Sequence, residues 1–213
     1  MKTVLFQGDS ITDMAHIDSA ADMNHIYGHS YVFLLAAYLG AEYPTNNIKI
    51  INKGVSGDRL EDMSARYETD TLPYNPDIIS ILIGINDILQ LADAEIIESD
   101  IAYKNRFQSL IDKTKAALPK TTIVICEPFC FHEAANEKYK GVLKKYLPLY
   151  SSAAKQIAEE NNLIFVPLRE KFEKAYQNNP QLGYKHWIWD GVHPTAAGHM
   201  LIAKQWLKYV NII

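Results

Sequence analysis

Two short segments near opposite ends of the 213-residue chain carry side chains whose types and spacing suit nucleophilic chemistry. Near the start, Phe6-Gln7-Gly8-Asp9-Ser10-Ile11-Thr12 reads as a β-prone run entering a glycine turn. A hydroxyl at Ser10 would then stand at the carboxyl edge of a strand. If a helical turn begins there, its free amides face an incoming oxyanion. Taken alone, the same residues also describe a Ser or Thr capping a helix. Near the end, Asp190-Gly191-Val192-His193-Pro194 sets a carboxylate at i and an imidazole at i+3. On a turn, that spacing brings the carboxylate to the ring Nδ1, where it selects the tautomer and supports the imidazolium. Pro194 biases His193 away from helical geometry and suits the first position of a following helix, so His193 is expected in the loop before it. Taken alone, a turn Asp beside a surface His fits as well.

Two further segments offer hydrogen-bond donors. Gly84-Ile85-Asn86-Asp87 directly follows the most hydrophobic run of the chain. An Asn86 side-chain N–H there can donate to a developing alkoxide, although an Asx-type turn closing a strand reads the same. In Asn52-Lys53-Gly54-Val55-Ser56-Gly57-Asp58 a glycine lets a backbone N–H approach a ligand closely, and an ordinary strand-to-helix turn also accounts for it. Each signal is weak alone. Together they supply a nucleophile, a base with its orienting acid, and oxyanion donors.

The elements that must position these groups alternate. Strands are expected over 3–6, 47–52, 77–83, 121–126 and 163–166, each ended by a turn residue or a polar boundary. Helices are expected over 31–43, 58–70, 99–118, 136–161 with an interruption at Pro148, and 194–210. The nearly continuous apolar run from Asp77 to Ile83 suits a central strand covered on both faces. This β-α alternation argues for an open parallel sheet with helices on both sides. Such sheets hold ligands at the carboxyl ends of their strands. Residues 14–29 lack periodicity and are expected to form a loop over the site. Without repeat, linker or low-complexity tract, one domain is expected over 1–213.

Composition narrows the rest. With 48% apolar and 22% charged residues the chain matches a folded globular domain and no fibrous or disordered class. A net charge of −4 leaves no basic stripe for phosphates, so no nucleic-acid partner is expected. The longest apolar run, Val32 to Ala41, is ten residues and too short for a bilayer span, so no membrane partner is expected either. Two cysteines, Cys126 and Cys130, are too few for a disulfide framework. MKTVLFQGDS leaves no room for a secretory h-region and cleavage site. Both features favour a cytoplasmic location. Asp9, Asp13, His16, Asp18 and Asp22 form an acidic cluster whose spacing matches no zinc or EF-hand pattern, so no metal and no cofactor are expected. Cys126 reads as a buried strand residue, and Lys138 to Lys145 as a solvated helix face.

In this order, the four segments resemble the GDSL family, also called SGNH hydrolases, from Gly8 to the C-terminal helix. Gly8-Asp9-Ser10-Ile11 is similar to the first family block, with Ile where Leu is usual. Ser56-Gly57-Asp58 resembles the second block, Gly84-Ile85-Asn86-Asp87 the third, and Asp190-Gly191-Val192-His193 the fifth. The resemblance implies a three-layer α/β/α sandwich with a flavodoxin-like, parallel five-stranded central sheet, and a metal-independent serine esterase. It implies Ser10 as nucleophile, His193 as base, Asp190 as its acid, and an oxyanion hole of Ser10, Gly57 and Asn86. No G-x-S-x-G elbow occurs. Asn52–Asp58 and Trp189–Met200 are similar to the acetylxylan and carbohydrate O-acetylesterase branch, which implies an acetylated sugar as small-molecule substrate and is compatible with a homo-oligomer. Lysophospholipase and acyl-thioesterase members share the blocks, so longer acyl chains stay open, as does a silent binding module. Asp9, Trp187 and Trp189 are the expected substrate contacts. A tryptophan beside Asp190 can stack on a sugar face or shape an acyl pocket, and core packing is its alternative.

Overall fold

The buried run Ile78–Leu82 becomes the middle of a sheet because both its faces can be apolar. In the computed structural model, which describes residues 1–18, 25–94 and 100–212, it is strand β3. Around it lie β1 (Lys2–Gly8), β2 (Ile48–Gly54), β4 (Thr122–Cys126) and β5 (Ile164–Val166). All neighbours pair in parallel, in the order β2-β1-β3-β4-β5. This is the flavodoxin-like order, whose switch point falls between β1 and β3. The register sets Gly8 opposite both Gly54 and Leu82, so β1, β2 and β3 end level with one another.

Helices cover the sheet in two groups. On one side pack α2 (Tyr31–Glu42), α8 (Arg169–Asn178) and α9 (Ala196–Tyr209). On the other lie α3 (Leu60–Ala65), α5 (Ile85–Asp93), α6 (Asp100–Ala117) and α7 (Glu137–Glu160). Two one-turn helices, α1 (Ser10–Asp13) and α4 (Tyr67–Asp70), complete the set among the described residues. The three-layer α/β/α arrangement is the expected one. No helix among the described residues is long and apolar enough to cross a membrane.

Several expectations are corrected. The helix over 136–161 is continuous through Pro148. The carbonyl that Pro148 leaves without a helical partner is that of Lys144, and both residues are exposed, so water can satisfy it. Residues 58–70 form two short helices, broken at Arg66. Pro194 is not the first helical residue. Thr195 caps α9 by accepting from the Gly198 amide at 3.2 Å, while Pro194 bridges to Ile188. Helices α5 and α8 are absent from the sequence expectations. Gly84 to Asp87 reads there only as a turn, and α8 buries only Phe172, too little for a visible period. The centre of the segment 14–29, with Asp22, lies outside the described residues. Its ends meet through His29 N to Met14 O at 2.9 Å and Ile17 N to His25 O at 3.1 Å.

The seating of α9 fixes where the C-terminal loop lies. Its Trp206 is fully buried, 5.4 Å from the Phe6 ring of β1, and donates Nε1–H to Ser80 Oγ of β3 at 3.0 Å. Docking α9 on the sheet in this way brings the loop before it to the carboxyl ends of β1 and β3.

Candidate active site

β1 runs straight into α1. Asp9 is the N-cap: its carboxylate accepts from the Ile11 amide at 3.0 Å, and its carbonyl from Thr12 and Asp13 at 3.0 and 2.9 Å. Ser10 is therefore the first helical residue and not the cap, and its side chain is half-buried at the sheet edge. α1 sits close on β2 because Gly54 has no side chain. A Cβ there would lie 2.4 Å from Asp13 N and 2.8 Å from Thr12 Cβ. Asn52 secures the seat, donating Nδ2–H to the carbonyls of Thr12 and Tyr27 at 2.8 and 2.9 Å.

The loop of residues 187–195 supplies the partner. Asp190 Oδ2 meets His193 Nδ1 at 2.7 Å, and Asp190 Oδ1 accepts from the His193 and Val192 amides at 2.7 and 3.0 Å. His193 Nε2 lies 2.9 Å from Ser10 Oγ. A carboxylate on Nδ1 assigns the proton to that nitrogen, so the Nε2 lone pair faces the Ser10 hydroxyl. Burial pushes the Asp190 carboxyl up, but the three bonds from His193 and Val192 outweigh it and hold it below the usual carboxylate range. The loop itself is pinned by Thr195 N to Trp187 O, Trp189 N to His193 O and Phe131 N to Gly191 O, at 2.9, 3.1 and 3.0 Å.

The donors stand at the ends of the two flanking strands. After β2, Val55 N donates to Gly8 O at 2.9 Å, and Asp58 N closes a turn on Val55 O at 3.1 Å. Gly57 has φ +90° in that turn. Arg66 Nε holds Asp58 Oδ2 at 2.6 Å. After β3, Asn86 is the second residue of α5 and donates one Nδ2–H to Asp58 O at 2.9 Å, which leaves its other N–H for a ligand. Asp87 Oδ2 accepts from Leu60 N at 3.0 Å, tying α5 to α3.

The structure thus brings Ser10, His193 and Asp190 into one hydrogen-bonded line, with Gly57 and Asn86 on the neighbouring strand ends. Trp189 is 57% exposed, with its ring 6.1 Å from the His193 ring at 26°. Trp187 is half-buried and packs edge-on against His186 at 4.6 Å, with its Nε1 buried. Asp9 is buried, and its carboxylate is turned to its own helix turn instead of the open face expected of a substrate contact. Within the acidic cluster His16 links two carboxylates, Nδ1 to Asp13 and Nε2 3.8 Å from Asp18, while Asp9 stands apart. Asp13 pairs with His16 at 2.7 Å and with Ser56, while Asp18 pairs with Lys53 at 2.7 Å. Burial drives both thiols up, Cys126 and Cys130 each to about 12. Sequence reading misses the Asp13–Ser56 link and the Asp58–Arg66 pair. The i, i+3 spacing of Asp13 and His16, the same as in Asp190 and His193, is the one legible signal.

Comparison with known proteins follows the same lines. Residues 6–201 match the sequence profile described as the GDSL-like Lipase/Acylhydrolase family. An acetylxylan esterase from Geobacillus stearothermophilus is 32% identical over 213 residues, covering 98% of this chain and 93% of that protein. Among solved structures, a GDSL-like lipase from Parabacteroides merdae superimposes with a TM-score of 0.89 at 34% identity, over 97% of this chain and 94% of that one. A variant of an acetyl xylan esterase from Geobacillus stearothermophilus gives a TM-score of 0.82 at 32% identity, over 97% and 93%.

Proposed function

The chain belongs to the GDSL-like lipase/acylhydrolase family and is a carboxylic ester hydrolase, and from that premise we propose that it removes O-acetyl groups from carbohydrates, such as acetylated xylo-oligosaccharides, through an acyl-serine on Ser10. Ser10 Oγ attacks the ester carbonyl while His193 Nε2 takes its proton. The tetrahedral oxyanion is held by the amides of Ser10 and Gly57 and by the second N–H of Asn86 Nδ2. Collapse breaks the bond to the sugar oxygen, which receives the proton from His193 and leaves as the alcohol. A water, deprotonated by His193, then attacks the acetyl-Ser10 carbonyl, and acetate departs as the serine regains its proton. Asp190 stabilises the imidazolium in both halves.

The observation that carries this reading is the line Asp190–His193–Ser10, with successive contacts of 2.7 and 2.9 Å. The sugar assignment draws support from the acetylxylan esterase relative and from the exposed Trp189 ring beside His193, a surface on which a pyranose face can stack. The test is acetate release from a panel of acetylated xylo-oligosaccharides and other acetylated sugars. The wild-type chain is expected to release acetate and Ser10→Ala to lose nearly all of it. A fully active Ser10→Ala would end the mechanism, and an active enzyme that ignores every acetylated sugar would end the substrate assignment.

A further inference from the structure

Gly57 N–H belongs to the central peptide of the turn Val55–Asp58. A glycine at the third position with φ +90° is what a type II turn requires. The other common turn differs by rotation of that same peptide plane, which would turn the Gly57 N–H away. Nothing lies within 4 Å of where a Cβ on Gly57 would stand, so no contact on that side of the residue holds the turn. The amide must therefore be aimed by its neighbours along the chain. On the far side Asp58 is held by Arg66 and Asn86. On the near side the hold on Ser56 comes from Asp13. Asp13 Oδ2 accepts both the Ser56 amide at 3.1 Å and the Ser56 hydroxyl at 2.5 Å. Its Oδ1 accepts His16 Nδ1 at 2.7 Å and the His16 amide at 3.2 Å. Asp13 ends the same four-residue turn that Ser10 begins, and its own amide bonds to Asp9 O at 2.9 Å.

We infer that Asp13 is a positioning residue: it couples the Ser10 turn to the Ser56–Gly57 peptide, so that hydroxyl and oxyanion amide are presented in one fixed geometry. The inference rests on the proposed roles of Ser10 and Gly57. Four donors converge on the Asp13 carboxylate, and only an ionised carboxylate has acceptors for all of them on both oxygens. Burial pushes this carboxyl up, but the bonds from Ser56 and His16 outweigh it and hold it below its ordinary range. Asparagine at this position would turn an NH₂ towards one of the two donor pairs. Alanine would free Ser56, and the following peptide would regain the glycine's rotational freedom. Misplacement of a reacting group by about 1 Å costs on the order of 10²-fold.

The experiment measures kcat, KM and inhibition by phenylboronic acid, whose adduct on the serine is tetrahedral and carries its negative charge into the oxyanion site. For Asp13→Ala, kcat should fall by about 10–100-fold with KM within about twofold, and the boronate Ki should rise in proportion to the loss in kcat/KM. Asp13→Asn should fall between this and wild type. Ser56→Ala keeps the amide bond and should lose only a few-fold, and these two milder variants carry the test if Asp13→Ala does not fold. An unchanged kcat in the Asp13 variants, or a loss confined to KM with boronate binding intact, overturns the inference. Ser10→Ala, run alongside, separates this failure from failure of the mechanism, because an active Ser10→Ala refutes the mechanism itself.

Discussion

Asp9 precedes the proposed nucleophile and is fully enclosed, and burial pushes its carboxyl up to about 7 against the bond from the Ile11 amide. The unfolded carboxyl titrates near 3.9, so between about pH 4 and 7 the folded chain retains a proton that the unfolded chain has lost. Stability attributable to Asp9 therefore falls as pH rises through this window and stays low above it. Asp9→Asn removes the titration and keeps an oxygen for Ile11 N. Relative to wild type, its melting temperature should be more favourable at pH 8 than at pH 4, by the equivalent of a few kcal/mol at most. Thermal melts at both pH values check this, and a gap that does not change with pH would sink it. The sequence pattern marks Asp9 as part of a functional block, but it cannot say whether the carboxylate turns outward or inward. That is set by the α1 turn packing on Gly54 and by the burial it imposes.

At the scale of elements, the loop of residues 187–195 and the α7 entry depend on a backbone contact. Gly191 has φ +91°, and a Cβ on it would lie 2.3 Å from Ala135 N. Gly191→Ala is strained in conformation and blocked by backbone, so the loop must shift and carry His193 and Asp190 with it. We expect a fall in kcat of at least about 10-fold together with a stability loss of about 1–3 kcal/mol. Gly40→Ala in α2, where nothing lies within 4 Å of the new carbon, should be neutral or slightly stabilising. Steady-state kinetics and thermal melts of both variants decide it, and full activity in Gly191→Ala would mean that this contact does not set the position of His193. Strands and the long helices are legible in the sequence because apolar runs and apolar periods report burial directly. The failures have physical causes too. Pro148 faces solvent and costs the helix less than an interior proline would. α9 begins two residues after Pro194, at Ala196, because the Thr195 hydroxyl accepts the Gly198 amide and caps it there.

At the scale of the whole molecule, the proposed machinery lies where a doubly wound sheet offers free strand ends, with Ser10 after β1 and Asn86 after β3 at the switch point. A cavity of about 380 Å³, walled by Phe129, Phe131, Leu147 and Tyr176, opens beside α7 and α8 beyond β4 and β5, and none of Ser10, His193 or Asp190 lines it. The proposed site lies elsewhere, at the ends of β1, β2 and β3, with Trp189 exposed beside His193. A short acyl group on an accessible alcohol fits such a site, so p-nitrophenyl acetate should be cleaved with a kcat/KM at least about 10-fold above the octanoate ester. A preference for eight carbons or more would favour a longer acyl substrate. The sequence by itself determined which groups are available and that they stand at strand ends, because turn residues and apolar runs are local properties. Only the tertiary structure decided that Ser10 and His193 meet across 183 residues of chain. That contact requires α9 to dock on β1 and β3 through Trp206, Phe6 and Ser80. It also decided that Asp13 reaches Ser56 and that Asp9 turns inward, since both depend on how closely α1 settles on β2, a distance that no local pattern encodes.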